Sequence, residues 1–208
     1  MEVGSSFWRR FTLMMAGVLG MGVFISLLLE VGYGTDTCSF MNSSIATSLT
    51  VGLGPVMVCL NIALFIPQLL FGRKMIGVGT LANMTLIGFT SDLCTLLWDS
   101  TLPSWLFTSQ PWRSFVFVVA LPLFLLCAAI YMNADLGLAP FDAIPTMVSR
   151  KSKLPFYAVR MAWDALAIIV GAAAGGQLTV GTIILALTVG PSVSWIGKKM
   201  VPLPLQVS

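Results

Sequence analysis

Histidine is absent from the sequence, and only 9% of the 208 residues are charged. The lack of histidine excludes metal sites, proton relays and pH sensors that are built on imidazole. Soluble domains have about 25% charged and about 45–50% apolar residues, whereas this chain is 57% apolar. The composition therefore predicts an integral membrane protein with no soluble catalytic domain.

Cysteine is also scarce, with four residues and no CxxC pair: Cys38, Cys59, Cys94 and Cys127. Three of the four fall in apolar stretches, where they are interpreted as small buried apolar residues. The sequence contains no P-loop, nucleophile elbow or metal-ligand motif. We therefore expect no enzymatic activity, no cofactor, no metal and no nucleic-acid partner.

Apolar stretches, by contrast, are frequent, and six of them approach the length of about 20 residues that crosses a hydrocarbon core. They cover residues 11–29, 56–71, 76–97, 115–132, 155–174 and 180–196. These stretches predict an all-α membrane protein with six transmembrane helices. The second and the last stretch are the shortest.

The basic residues alternate along these six stretches. They are Arg9 and Arg10, Arg73 and Lys74, the group Arg150, Lys151 and Lys153, and Lys198 and Lys199. The intervening loops contain only Arg113. Cytoplasmic loops are enriched in lysine and arginine, so the pattern predicts a multi-pass protein with both termini in the cytoplasm.

The chain also contains an internal repeat. Val78-Gly79-Thr80 in residues 77–93 aligns with Val180-Gly181-Thr182 in residues 179–195, and Gly88 then aligns with Gly190. Duplicated units in an apolar chain are typical of transporters. We interpret the four glycines, Gly79, Gly181, Gly88 and Gly190, as sites of close helix packing.

A polar, interrupted segment precedes each repeated motif, at residues 32–55 and 133–155. Each has room for a short helix, at 38–49 and 140–149, and Asp36 and Asp142 lie near the two starts, where a carboxylate can cap free N–H groups. Such a helix is either re-entrant or an amphipathic segment in the membrane interface.

Each half is thus predicted to contain a span, a short helix and two more spans, with the first repeat at residues 1–110 and the second at 111–208. Three spans are an odd number, so the second half must enter the membrane from the opposite side. The expected architecture is a pair of inverted three-helix repeats within one membrane domain.

Several segments carry a family resemblance. IGVGTLANMTLIGFTSDL, GLAPFDAIPTMVSRKSKLPF, VRMAWD at residues 159–164 and VGTIILALTVGP resemble the YczE/YitT-type bacterial membrane proteins. The resemblance runs from the GYGTDT segment to Gly190-Pro191. It implies a polytopic protein of the bacterial cell membrane, and it supplies no substrate.

Ionisable residues within spans are costly, and each is a functional candidate. Arg160 and Asp164 lie four residues apart on one helix face, where they either neutralise each other, with Arg160 reaching the cytoplasmic surface, or form a substrate site. Asn61 occupies the corresponding region of the second span. Asp92 either binds a ligand or caps the third span at the interface.

These residues favour a small secondary transporter or permease for an unidentified small solute. The candidate binding residues are Asp164, Arg160, Asn61, Asp36, Asp142 and Asp92. The alternatives are the substrate-binding membrane subunit of a multi-component importer, for which Ala16, Gly17 and Gly20 faintly match a docking motif, and a non-transporting structural or regulatory protein. The expected partners are the lipid bilayer, the solute and, in a homodimer, a second copy.

The charge pattern makes a direct prediction about topology. On a background that lacks the native cysteines, Lys74→Cys and Ser152→Cys should be protected from an impermeant thiol reagent added outside, because basic loops stay cytoplasmic. A cysteine in the loop before Arg113 serves as the labelled control. Labelling from outside at position 74 or 152 would contradict the topology.

Overall fold

The computed structural model describes residues 2–199, with the side chains of residues 2–6, 53 and 54 excepted. In this range the chain is helical and has no strand. The helices are α1 (Glu2–Val31), α2 (Thr37–Ser48), α3 (Leu53–Phe71), α4 (Val78–Thr101), α5 (Trp105–Thr108), α6 (Trp112–Asn133), α7 (Pro140–Ser152), α8 (Phe156–Ala173) and α9 (Val180–Lys199), with a 3₁₀ turn at Arg73–Met75. The end of the predicted second repeat, residues 200–208, lies outside the described residues.

Four helices are long and apolar enough to cross a membrane: Phe7–Val31, Trp112–Asn133, Phe156–Ala173 and Val180–Lys199. The apolar part of α3, Pro55–Phe71, is shorter. Helix α4 has 24 residues, but polar residues that include Asp92 and Asp99 interrupt it. The all-α fold and its membrane-like helices are thus confirmed, and the full set of six spans remains a prediction.

Helices α1 and α6 form the antiparallel centre of the bundle. Arg10 near the start of α1 lies 3.7 Å from Asp135 just after α6, and Arg113 at the start of α6 donates to the carbonyl of Val31. The two backbones approach closely, because a Cβ at Gly17 would lie 2.8 Å from the Cys127 carbonyl oxygen. Small residues at such crossings let membrane helices gain van der Waals contact.

Helices α4 and α9 flank this central pair. Helix α4 packs on α1, and α9 packs on α6. The buried apolar residues between these four helices form the main core, including Met14, Val18, Leu28, Phe124, Leu125, Leu185 and Val189. A second, smaller core around Met41, Phe141 and Ala167 joins α2, α7 and α8.

Both predicted short helices are present. Helix α2 begins one residue earlier than expected, and α7 extends three residues beyond the expected end. Asp36 caps α2, since its Oδ2 accepts a hydrogen bond from the Ser39 N–H at 3.1 Å. Half of α2, including Phe40 and Asn42, is buried. An amphipathic helix that lies flat in the interface would not bury its polar residues in this way.

The segments that lead into these short helices make reciprocal contacts with the repeated VGT motifs. The Gly79 N–H donates to the Leu136 carbonyl at 2.8 Å, and the Gly181 N–H donates to the Tyr33 carbonyl at 2.8 Å. Each half therefore holds the entry segment of the other half. The next residue of each entry segment is a glycine at positive φ, Gly34 at 124° and Gly137 at 109°, a conformation that favours glycine.

Three of the four repeat glycines lie at such close approaches. A Cβ at Gly79 would lie 2.6 Å from the Gly137 carbonyl oxygen, and one at Gly181 would lie 2.6 Å from the Tyr33 carbonyl oxygen. At Gly190 a Cβ would come within 3.0 Å of the Tyr157 carbonyl oxygen on α8. Gly88 differs, since a Cβ there would meet nothing within 4 Å. The close packing expected at Gly88 is not found within the described chain, because no other helix lies against that face of α4.

These contacts generate a matched mutational prediction. Gly181→Ala and Gly79→Ala should each destabilise the protein by about 1–3 kcal/mol, because the added methyl group overlaps a backbone carbonyl. Gly88→Ala should be neutral or stabilising by up to about 1 kcal/mol, since alanine is the better helix former. Thermal unfolding in detergent measures all three. Equal effects at positions 88 and 181 would contradict the packing described above.

Candidate functional site

The candidate site is built around the Arg160 side chain on α8. Its residue is only 5% exposed. The Nε donates to Asp164 Oδ2 at 2.9 Å, one helical turn along α8. The Nη1 donates to Asp142 Oδ1 at 2.6 Å, in the first turn of α7. The predicted intrahelical pair is present, and Arg160 is buried within the described chain instead of extending to an exposed surface, because both bonds hold the guanidinium inside the protein.

Asp164 connects this arginine to the first half of the chain. Its Oδ1 accepts a hydrogen bond from the Thr37 hydroxyl at 2.6 Å, at the start of α2. Asp164 is 1% exposed and Thr37 is 3% exposed. Both oxygens of the carboxylate are thus bonded, which a buried charge requires. The Thr37–Asp164 bond crosses between the predicted repeats.

Asp36 directly precedes Thr37, and Asp142 and Arg160 lie near enough to act electrostatically on its carboxylate. Together Asp36, Asp142, Arg160 and Asp164 form what we term the charged cluster. The starts of α2 and α7 both lie at this cluster, one from each half. Helix N-termini carry about half a positive elementary charge each, so carboxylates are stabilised where two of them converge.

Aromatic and polar side chains surround the charged cluster. The Phe141 ring lies 5.3 Å from Arg160 Cζ and 5.5 Å from the Trp163 ring. The Tyr131 hydroxyl accepts a hydrogen bond from the Ala139 N–H at 2.6 Å and so fixes the entry to α7. Arg160 and Asp164 are thereby largely shielded from solvent, and such shielding strengthens the electrostatic interaction between them.

The structure therefore brings together four of the six predicted binding residues. Asn61 is half-buried on α3, and Asp92 is exposed on α4. Within the described chain neither side chain is hydrogen-bonded to the charged cluster. Asp92 instead lines an open groove of about 520 Å³ together with Glu30, Ser91 and Thr95.

Sequence reasoning missed Thr37 and Tyr131. Thr37 directly follows Asp36, but its partner Asp164 lies 127 residues further along the chain, and no local pattern gives that distance. Among residues 2–199 the structure also places no three cysteine or carboxylate side chains closely enough to hold a metal ion.

The comparison with known protein families matches residues 8–198, a stretch that runs from α1 to α9 and includes both halves. The chain belongs to DUF6198, a family of unknown function. Neither a curated protein nor a solved structure matches the chain. The DUF6198 match does not test the resemblance to the YczE/YitT-type proteins, which stays a prediction.

The Thr37 hydroxyl provides a test of the cluster's internal bonds. Thr37→Val should destabilise this DUF6198 protein by about 1–3 kcal/mol, since it leaves a buried carboxylate oxygen without its donor. Thr47→Val on the same helix is the matched control, because the Thr47 hydroxyl is exposed and only bonds back to the Ser43 carbonyl. Its effect should stay within about 0.5 kcal/mol. Equal melting temperatures for the two variants would show that the Thr37–Asp164 bond contributes nothing.

Proposed function

We propose that this protein is a secondary transporter or permease for a small solute, built from two inverted three-span repeats. The observation that carries the proposal is the charged cluster at the meeting point of α2 and α7. Buried ionisable groups in membrane proteins are expensive and mark substrate or ion pathways. Transporters commonly place their sites where the N-termini of interrupted helices from two repeats converge.

The six-span arrangement takes α3 and α4 as the remaining two spans. Two features favour it. The basic residues Arg73 and Lys74 lie between α3 and α4, as the orientation requires. Exposed tryptophans also occur at both ends of the bundle, with Trp8 and Trp195 at one end and Trp105 and Trp112 at the other. Tryptophans of this kind form belts at the two membrane interfaces.

The inverted repeat is supported by the way in which the halves exchange contacts. The Gly79–Leu136 and Gly181–Tyr33 hydrogen bonds are equivalent under the sequence repeat. The corresponding helices α1 and α6 run antiparallel. A two-fold relation between antiparallel spans has its axis in the membrane plane, and such an axis turns one half upside down relative to the other.

A mechanism follows from which half supplies each part of the charged cluster. Asp36 and Thr37 come from the first half, whereas Asp142, Arg160 and Asp164 come from the second. Arg160 and Asp164 side chains are 7% and 1% exposed, so this conformation is closed around the cluster. Alternating access by movement of one half against the other would break the Thr37–Asp164 bond and open the cluster to one side at a time.

The importer-subunit alternative requires a free surface of small residues on the first span. Gly17 and Gly20 instead face α6, where added Cβ atoms would meet Cys127. This packing favours a self-contained permease. The alternative of a non-transporting protein assigns the Arg160–Asp164 pair to stability alone. Mutation of this pair therefore distinguishes that alternative from a transporter.

The ion pair of Arg160 and Asp164 gives the decisive test. Asp164→Asn keeps the shape of the side chain but removes its charge. Asp142 still binds Arg160 in this variant, so folded protein should be recovered with a loss of stability of about 3 kcal/mol, the low end of the range for removing one partner of a buried ion pair. Ligand binding, found first by a thermal-stabilisation screen of small solutes on the wild type, should then collapse together with flux into proteoliposomes. Binding stabilises by mass action, about 2.7 kcal/mol at 100 times the dissociation constant.

Asp92→Asn is the control, because Asp92 is exposed and outside the charged cluster. It should retain binding and flux. Wild-type binding and flux in a well-folded Asp164→Asn, Arg160→Gln double variant would refute the role of the pair.

A further inference from the structure

Asp36 is the one carboxylate of the charged cluster that has no cationic partner among the described residues. Asp142 and Asp164 share the Arg160 guanidinium. Asp36 Oδ2 accepts the Ser39 N–H at 3.1 Å, and the Ser39 hydroxyl is the other neutral donor beside this carboxylate. Asp36 Oδ1 is buried and has no hydrogen-bond partner in the described chain. A buried anionic oxygen without a partner is strongly unfavourable, so this position calls for a ligand that carries positive charge.

A second oxygen without a partner belongs to Asn42, about one helical turn beyond the Ser39 N–H that Asp36 caps. Asn42 is 3% exposed, and its Nδ2 contacts Cys38 Sγ at 3.5 Å. The amide therefore extends from Asn42 back towards the start of its helix, the direction in which helical side chains lean. Cys38 in turn lies near enough to Asp36 and Asp142 for their charges to act on its thiol. Within residues 2–199 Asn42 Oδ1 has no hydrogen-bond donor.

The charges of the cluster indicate how much positive charge is missing. Three carboxylates against one guanidinium leave an excess of two negative charges. The starts of α2 and α7 each contribute about half a positive charge, which leaves about one negative charge. One monovalent cation balances the site, whereas a divalent ion would over-neutralise it.

We propose that Asp36 and the Asn42 amide oxygen form the binding site for one monovalent cation, either a proton or a sodium ion. The binding site stands on these contacts alone. The further statement that the cation couples to solute movement rests on the proposed transport function. In that role, cation binding neutralises Asp36. The starts of α2 and α7 can then separate as the protein changes from being open on one side of the membrane to being open on the other.

The other charged and titratable groups around Asp36 are identified. They are Cys38 on α2, Tyr131 on α6, Asp142 on α7, and Arg160 and Asp164 on α8. Helix α3 has no charged residue, and the charged residues of α9 are Lys198 and Lys199 in its last turn. The lysines lie far along α9 from the start of α2, since Gly181 at the other end of α9 contacts Tyr33.

The test is the apparent melting temperature of the purified full-length protein in detergent. At about pH 8.5, well above the ordinary range of carboxyl groups, sodium chloride replaces choline chloride at equal concentration. In the sodium case the wild type is stabilised by sodium, and Asp36→Asn weakens this response about tenfold or more. In the proton case sodium has no effect, and the melting temperature of the wild type falls from about pH 6 to about pH 8.5. That fall disappears in Asp36→Asn.

Asp92→Asn is the control for charge removal and should respond like the wild type. Asn42→Leu separates the two cations, because it removes an oxygen without removing a charge. It should weaken sodium binding and leave a proton response intact. A wild type that responds to neither ion, or an Asp36→Asn variant that responds as the wild type does, would overturn the proposal.

Should Asp36→Asn fail to fold, direct measurement on the wild type decides the question. Radioactive sodium should bind at one ion per chain, or a pH indicator should report about one proton per chain taken up between pH 8.5 and 6 in sodium-free buffer. This uptake is counted beyond that of the α-amino group, because the chain has no histidine that titrates in this range. Neither measurement needs the solute. Cation binding without flux would therefore count against the transport function alone, and flux without cation binding would count against this site alone.

Discussion

The bridging of two carboxylates by the Arg160 guanidinium is the interaction on which the arrangement of this protein depends. Removing an ion from water costs several kcal/mol, and only close, well-bonded partners offset that cost. Arg160 meets this requirement through Asp164 on its own helix and Asp142 on α7. The start of α7 is thereby fixed against α8. Thr37 then fixes the start of α2 through Asp164, so three helices share one electrostatic centre.

The reciprocal contacts of the VGT motifs fix the backbone segments that lead into α2 and α7. An extended backbone segment inside a membrane protein must have its polar groups satisfied by protein. The segments before α2 and α7 meet this condition through two hydrogen bonds. The Tyr33 carbonyl accepts the Gly181 N–H, and the Leu136 carbonyl accepts the Gly79 N–H, each from the opposite half. Only glycine allows this approach, because any Cβ at Gly79 or Gly181 would overlap a carbonyl oxygen. The repeated motif therefore joins the backbones of the two halves by hydrogen bonds.

The sequence predicted the helical class, the two short helices and the Arg160–Asp164 pair because each leaves a local signal. Asp36 precedes a polar helix of the right length, and a four-residue spacing places Arg160 beside Asp164. The contacts of Thr37, Tyr131 and Asn42 left no such signal, since each is decided by packing between distant segments. Asn61 and Asp92 were chosen for being polar within apolar stretches. The polarity of a residue does not show whether it lies on the buried or the exposed face of its helix, and Asp92 lies on the exposed face of α4.

The exchange of entry segments between the halves has a consequence for biosynthesis. When the first half leaves the ribosome, Leu136, whose carbonyl accepts the Gly79 N–H, has not yet been synthesised. The Tyr33 carbonyl likewise has no donor until Gly181 has been synthesised. Contacts between such distant segments form late and slow the folding of a chain. The helices of the first half must therefore wait with unsatisfied backbone groups until α9 has been synthesised. We expect insertion machinery or a chaperone to protect these backbone groups during that interval.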